Sequence, residues 1–157
     1  MAAPTAWAIR PARADDAEGV AAAVRELLLE LDGTPGELSE MAEAARALIV
    51  DPAAGAVLVA EAGDGLVGVL GASWQVAIHV PGAYALIQDL WVRADWRGRA
   101  VGRGLLEELF RLAGVRGFAR VEVGLPRESF ARFAATEAFY EGNGFTANGP
   151  RMRRLLA

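Results

Sequence analysis

Apolar side chains follow two different spacings along this chain, and the spacing changes near residue 55. Between Asp15 and Leu31 they recur every three or four positions, which predicts a helix, and the same spacing predicts a second helix from about Glu37 to Val50. The turn sequence Gly33-Thr34-Pro35-Gly36 separates the two helices. A short strand over Ala6–Arg10 precedes them. The first third of the chain is therefore predicted to be mainly helical.

The middle of the chain has the shorter runs and turn residues that are typical of strands. Ala56–Glu61 and Leu66–Val80 predict the two strands of a hairpin, with Gly63-Asp64-Gly65 at its turn. We expect the next turn at Pro81-Gly82. Tyr84–Val92 is apolar at consecutive positions, which predicts a central strand that is covered on both faces.

The last third returns to alternating elements. A Gly- and Arg-rich loop, Trp96–Gly104, leads into a helix that runs through Ala113. A strand over Arg120–Leu125, a helix over Phe130–Glu141 and a final strand or hairpin over Gly144–Leu156 follow. The order β-α-α-β-β-β-α-β-α-β predicts an α+β fold: a mixed sheet with helices on both faces, in a single domain spanning residues 1–157.

Two missing residue types exclude several kinds of chemistry. The 157 residues include no Cys, and all 16 basic residues are Arg. Disulfides, thiolate zinc sites, a Cys or Lys nucleophile and a Walker lysine are therefore excluded. His79 is the one histidine, so a multi-histidine metal site is impossible, and we expect no metal. None of the three serines lies in a nucleophile elbow.

The charges are unevenly distributed along the chain. The net charge is −4, but residues 1–92 carry −9 and residues 93–157 carry +5. This division suits a cationic substrate and an anionic cofactor, whereas a pI near 5.1 without Lys argues against nucleic-acid binding. With no apolar run of about 18 residues and no signal-peptide pattern in Met1–Arg13, we expect a cytoplasmic protein. Abundant Ala, Gly and Arg without Lys is typical of a high-GC bacterial genome.

The segment from Asp95 to Leu106 has the features of an anion-binding loop. It follows a strand and opens a helix, whose first N–H groups lack partners and carry partial positive charge. Small residues at alternate positions leave the backbone uncovered, and arginines between them add charge; the segment reads Arg97, Gly98, Arg99, Ala100, Val101, Gly102, Arg103 and Gly104. A phosphate or pyrophosphate suits such a loop. The spacing matches neither the dinucleotide fingerprint nor the P-loop.

Two motifs resemble the GNAT family of N-acetyltransferases. Arg97-x-x-Ala100-x-Gly102, after the strand Leu86–Val92, is similar to the family's acetyl-CoA loop Q/R-x-x-G-x-G/A. Ala138-Phe139-Tyr140-Glu141-Gly142-Asn143-Gly144-Phe145 is similar to its second signature, and the element order matches from Ile9 to Leu155. Three positions differ from the family pattern: Ala100 replaces the usual Gly, Phe133 stands where Asn is frequent, and Gln88 stands where many relatives have Glu.

The resemblance implies transfer of acetyl from acetyl-CoA to a primary amine of a small molecule or peptide, by direct attack and without a metal. It implies that the central strand splays from the next one, with the pantetheine arm in the gap. A backbone N–H near Leu90 or Trp91 would polarise the thioester carbonyl, and Leu90 and Val92 would pair with the arm. Tyr140 would be the general acid. The cofactor-binding residues expected on the second-motif helix are Phe133, Thr136 and Phe139.

The sequence leaves the general base and the acceptor open. Gln88 cannot be a base. Asp89 is adjacent but should face the other side of the strand unless a bulge redirects it, and Glu122 or a relayed water are alternatives. A non-catalytic acetyl-CoA-binding or sensing domain of the same fold is the second hypothesis. The family's frequent dimers suggest a homodimer, and the acidic first half favours cationic acceptors such as polyamines, aminoglycosides or basic peptides. The first two helices and the loops near residues 30–37 and 78–84 are expected to form the acceptor pocket.

Overall fold

A five-stranded sheet forms the centre of the molecule, which the computed structural model describes over residues 6–156. Its strands lie side by side in chain order: β1 (Ala8–Pro11), β2 (Gly55–Ala62), β3 (Gly65–Ala77), β4 (Val80–Val92) and β5 (Val121–Val123). The first four strands are antiparallel, and β5 runs parallel to β4. The sheet is therefore mixed, as the sequence predicts.

Helices cover the sheet on both faces. They are α1 (Ala17–Glu30), α2 (Leu38–Val50), α3 (Val101–Val115) and α4 (Phe133–Gly142). Successive residues of β2 divide between two cores because side chains alternate along a strand. Val57 and Val59 pack with α1, while Leu58 and Ala60 pack with residues of α3 and α4. No helix within residues 6–156 combines the length and hydrophobicity needed to cross a membrane.

Two local predictions about turns and loops are wrong. The turn between β3 and β4 lies at Ile78-His79, and Pro81-Gly82 falls inside β4. The register there passes from Ala77↔Val80 to Val76↔Ala83, so the proline lies in an irregularity of the ladder that does not need its missing N–H. The helix α3 begins at Val101, inside the segment predicted to be a loop.

The final predicted element is also wrong. Residues 145–156 form no strand, and β5 pairs over three residues only, not over Arg120–Leu125. The apolar side chains of Met152, Leu155 and Leu156 are exposed. Because no buried face holds this segment, its alternating pattern does not fix a register.

Candidate functional site

A cavity opens in the gap between β4 and β5. The two strands pair only at Ala85↔Val121, Leu86↔Glu122 and Ile87↔Val123. Beyond Ile87, β4 continues for five residues with no partner on that side. A cavity of about 630 Å³ occupies this space and extends from α1 to α4.

A bulge at Gln88 lies where the two strands separate. Gly71 pairs with Asp89 and Ala72 with Ile87, so Gln88 is an extra residue in β4. Ile87 packs in the core under α3, yet Trp91, four residues later, packs in the core under α1. The bulge has shifted the alternation by one position. Asp89 consequently shares the α1 face of the sheet with Trp91.

The same shift redirects the backbone N–H groups of β4. The N–H of Ala85 donates to the Arg120 carbonyl at 3.1 Å, toward β5, whereas that of Arg93 donates to the Val67 carbonyl at 2.9 Å, toward β3. Alternation back from Arg93 directs the Trp91 N–H to β3 as well. The N–H groups of Leu90 and Val92 therefore point into the gap.

The start of α3 supplies the cavity with further free donors. Ala100, the residue before the helix, has a left-handed backbone with φ 65°. Within residues 6–156, no backbone acceptor engages the N–H groups of residues 98–103. The Arg97 N–H donates to Ala94 at 3.4 Å and the Gly104 N–H donates to Ala100 at 3.0 Å. The N–H groups without a backbone acceptor are thus those of residues 98–103, whereas the N–H groups of Arg97 and Gly104, at the two ends of the predicted set, already have one.

The loop arginines are mostly engaged by protein groups. Arg97 holds both carboxylate oxygens of Glu30 at 2.8 Å and donates through Nε to the Val92 carbonyl at 3.2 Å. The Arg99 guanidinium lies 4.9 Å from the centre of the Trp96 ring, and Arg103 pairs with Glu107 at 2.9 Å. Two of the three loop arginines, Arg97 and Arg103, are therefore already paired with carboxylates.

Tyr140 closes the cavity from the α4 side. It is 8% exposed and packs edge-on against Phe139 and Phe145, with ring centres 5.2 and 5.3 Å away. Burial raises the pKa of its phenol to about 12. The hydroxyl consequently keeps its proton throughout the neutral range.

Asp89 lines the same cavity from β4. Its carboxylate forms no ion pair within the described residues, and burial raises its pKa above the ordinary value of 3.8. Glu122, the other acid considered from sequence, pairs with Arg120 at 3.3 Å and does not line the cavity. Asp89 is thus the available carboxylate at this point of the strand.

Comparison with known proteins identifies the family. A family model described as an acetyltransferase (GNAT) domain matches residues 53–147, more than half of the chain. The chain belongs to the GNAT acetyltransferase family. Its matched segment contains β2 to α4, and with them the gap between β4 and β5, the loop Trp96–Gly104 and Tyr140. No curated protein sequence matches this GNAT chain.

Solved structures share the fold at low sequence identity. A "possible acetyltransferase" from Clostridium difficile 630 has a TM-score of 0.80 at 18% identity, covering 96% of this chain and 97% of that one. A "predicted acetyltransferase with acetyl-CoA" from Clostridium acetobutylicum scores 0.79 at 13% identity and 96% coverage of both chains. The ribosomal-protein-alanine N-acetyltransferase of Brucella melitensis biovar Abortus 2308 scores 0.73 at 18% identity, covering 97% and 100%.

Most residues predicted for the GNAT site line the cavity, but three do not. Phe133 is the first residue of α4 and lies outside the lining, as do Arg99 and Gly104. A Cβ on Gly104 would lie 2.8 Å from the Trp7 ring, so this glycine allows α3 to approach the N-terminal strand. The predicted residues that line the cavity are Asp89, Leu90, Trp91, Val92, Arg97, Gly98, Ala100, Val101, Gly102, Arg103, Thr136, Phe139 and Tyr140.

Sequence reasoning expected the first two helices to form the acceptor pocket; α1 lines the cavity but α2 does not, and the individual lining residues were not predicted. The C-terminal end of α1 and the residue after it contribute Leu27, Leu28, Glu30 and Leu31, and the segment after β5 contributes residues 124–126, 130 and 132. Of the acceptor loops expected near residues 30–37 and 78–84, only residues 30 and 31 are in the lining. Leucine spacing in α1 indicates a buried face but does not tell which side of the sheet it covers, so the spacing alone does not assign these leucines to the cavity.

Two further observations concern possible metal ligands and the position of Trp74. Within the described residues, no three His, Asp or Glu side chains are grouped as metal ligands. Trp74 is packed against Phe118, with ring centres 5.3 Å apart, and donates to the Pro52 carbonyl. Trp74 is therefore held by packing and does not line the cavity.

Proposed function

We propose that this protein is an acetyl-CoA-dependent N-acetyltransferase that transfers acetyl directly to a primary amine of a small molecule or peptide. The observation that carries the proposal is the splayed gap, where β4 presents the free N–H groups of Leu90 and Val92 beside the open donors of α3. A single extended ligand with amide groups and a pyrophosphate would engage both sets of donors. The solved Clostridium acetobutylicum relative is named with acetyl-CoA, which supports the choice of ligand.

The residues present fit acetyl-CoA. The backbone donors of residues 98–103 suit its pyrophosphate, and the main chain of Leu90 and Val92 suits the amides of its pantetheine arm. Ala100 already holds the left-handed conformation that glycine usually supplies there, so the methyl group does not prevent the loop geometry. Bound acetyl-CoA supplies a thioester that an amine can attack.

Leu90 and Tyr140 have separate roles in this proposal. The Leu90 N–H is the donor that stabilises negative charge on the carbonyl oxygen, because the Trp91 N–H points toward β3. Tyr140 keeps its proton and donates it to the departing sulfur. A phenol of pKa about 12 is a weaker acid than an ordinary thiol of pKa ~8.5, so this donation requires a sulfur whose own basicity is raised by the dry site.

We assign Asp89 to take a proton from the acceptor's ammonium, which leaves the neutral amine that attacks the thioester carbonyl. The bulge at Gln88 places its side chain on the α1 face of the gap, which answers the objection that strand alternation would turn it away. Burial raises the pKa of the Asp89 carboxyl, which brings it closer to the pKa of an efficient general base. Gln88 donates to the Ser73 hydroxyl at 2.9 Å and supports the bulge instead.

The test is ligand protection followed by turnover. Thermal stability is measured with acetyl-CoA, CoA, ATP and NAD at matched concentration; a ligand at 100 times its Kd adds ~2.7 kcal/mol. We expect a shift with the CoA species alone, followed by thiol release with amines. Because the chain has no Cys, a thiol reagent gives no protein background. CoA binding without turnover over an amine panel would instead favour the sensing domain. The cytoplasmic location and the homodimer stay predictions.

A further inference from the structure

We infer that the acceptor is a monoamine on an apolar stem, bound between α1 and β4 with its ammonium on Asp89. This inference rests on the proposed function and specifies its substrate class. It narrows the range drawn from the acidic first half of the sequence, which included polyamines and aminoglycosides. The residues that line the α1 wall of the cavity, and the pairing of the charges there, decide between these classes.

The α1 wall is largely hydrocarbon. Leu27, Leu28 and Leu31 line the cavity from the C-terminal end of α1, and Trp91 lines it from β4. Leu27 also packs against the core that contains Trp91, so this wall is continuous with the interior of the protein. Burying an apolar stem here removes hydrocarbon from water on both sides of the contact. A sugar or a polyamine would leave polar groups without partners.

Asp89 is the one carboxylate on this wall without an ion-pair partner among residues 6–156. The other acid that lines the cavity, Glu30, is held by Arg97 through both oxygens. Of the remaining charged lining residues, Arg103 pairs with Glu107, and Arg132 precedes α4, on the opposite side of the sheet from α1. One free negative charge at the end of an apolar wall matches one ammonium.

Eleven of the thirteen acids in residues 1–92 do not line the cavity; the two that do are Glu30 and Asp89. Asp16 and Glu61 both bind Arg10, Glu18 binds Arg46, and Asp64 binds Arg93. None of these four acids lines the cavity. A polycation would find only one free carboxylate among the described lining residues, so its additional charges would gain nothing from the site.

The deciding experiment measures binding and does not depend on turnover. Affinity for 2-phenylethylamine and for its neutral analogue 2-phenylethanol is measured by calorimetry, with and without CoA. The wild type is expected to bind the amine about 10- to 100-fold more tightly, the value of a hydrogen bond to a charged group. Asp89→Asn should lose that preference while binding the alcohol unchanged.

A pair of adjacent leucines tests the apolar stem. Leu28→Gln places an amide in the wall and should weaken 2-phenylethylamine binding about tenfold while changing ethanolamine binding little. Leu29→Gln is the matched control, because Leu29 is the next residue of the same helix, 56% exposed and outside the lining. This control should bind both amines as the wild type does.

A panel of acceptor amines then tests how the charge of the acceptor and its apolar stem affect turnover, which is measured as release of the CoA thiol. Hexylamine and 2-phenylethylamine are expected to exceed spermidine, kanamycin and phenylalanine at least about tenfold in kcat/KM. Preference for the polycations or for the amino acid, or equal binding of amine and alcohol, would overturn the inference while leaving acetyl transfer intact. Failure of CoA to bind would refute the proposed function, and the amine-against-alcohol comparison would still decide the ammonium site.

Discussion

The two halves of β4 share one strand but have different environments. Ala85, Leu86 and Ile87 lie between β3 and β5, and all three side chains are buried. From Gln88 to Val92 the strand keeps β3 but has lost β5, and four of these five residues are at least partly exposed. The first half is ordinary interior sheet, and the second half is the wall of the cavity.

The difference shows how one extra residue can turn a structural strand into a binding surface. A strand with an unpaired edge presents N–H and C=O groups that need partners. Here those groups belong to an interior strand and face a cavity, so a ligand can pair with β4 where β5 does not. The bulge at Gln88 lies at the junction and separates the two environments.

Deleting Gln88 is the strongest test of this comparison. The deletion removes the extra residue but preserves the pairing of Asp89 with Gly71 and of Ile87 with Ala72, and it leaves every other side chain on its present face. We expect a folded protein in which a straighter β4 narrows the gap, because bulges bend the strand that carries them. Acetyl transfer should fall about 10³-fold, since a misplacement of 1 Å alone can cost ~10². Steady-state kinetics and urea unfolding measure both effects.

Gln88→Ala is the control for the deletion. It keeps the residue count and therefore the bulge, and it removes only the hydrogen bond to Ser73. Activity should stay within about threefold and stability within about 1 kcal/mol of the wild type. If the deletion variant folds and retains full activity, the bulge does not open the gap.

The second test concerns Tyr140, which lines the same cavity as the second half of β4. Tyr140→Phe removes the proposed acid and keeps the packing against Phe139 and Phe145. We expect kcat to fall about 10²- to 10³-fold with little change in the KM for acetyl-CoA. Tyr84→Phe, at the chain's other tyrosine, which does not line the cavity, should leave kcat unchanged. An unaffected kcat in Tyr140→Phe would remove this residue from the mechanism.

Asp89 connects activity and stability through pH. A base works only when deprotonated, so activity should fall as pH drops through the raised pKa, which lies above the ordinary 3.8. Because the folded pKa is the higher one, the folded state holds this proton more tightly, and stability declines as pH rises from ~3.9 through the folded value. Asp89→Asn should therefore lower kcat about 10- to 100-fold yet stabilise the protein at pH 7 by about 0.5–2 kcal/mol.

Thermal unfolding at several pH values checks the sign for Asp89. The gain from Asp89→Asn should shrink as the pH falls through the raised pKa of Asp89, because the wild-type carboxyl then becomes protonated in the folded state. The other charged groups lining the cavity are Glu30, Arg97, Arg103 and Arg132, and Asp89→Asn leaves all four in place. A stabilisation that does not change with pH would mean that burial of the charge is not its cause.

The sequence predicted what local periodicity controls and missed what pairing controls. The helices α1, α2 and α4 and the strands β2 to β4 were predicted because their apolar spacing is a property of each segment alone. The bulge was not predicted, because a run that is apolar on both faces shows no break in alternation at Gln88. It exists only as a relation between β4 and β3.

The candidate site divides in the same way. The donors of residues 98–103 and Tyr140 lie in contiguous motifs, so the sequence pointed to them. The ion pair of Arg97 with Glu30 joins residues 67 positions apart, and the leucine wall of α1 carries no motif. Both arise from the way the helices pack on the sheet, which local sequence does not encode.

Substitution of Ala100 has the smallest expected effect of the variants proposed. It also contrasts with the bulge in β4, because the conformation of Ala100 is a property of its own loop and not of strand pairing. Its φ of 65° lies in the left-handed region, which costs a non-glycine residue about 1–2 kcal/mol. Ala100→Gly removes that cost. The added conformational entropy of the unfolded chain, however, lowers the free energy of unfolding by ~0.4–1 kcal/mol. We therefore expect a net stabilisation of about 0.5 kcal/mol, measured by urea unfolding. Gly98 is the reciprocal case. Its φ is 77°, and no heavy atom lies within 4 Å of the position that a methyl group would take. Gly98→Ala should destabilise by about the same amount, and equal stabilities for both variants would mean that the loop relaxes to accommodate either residue.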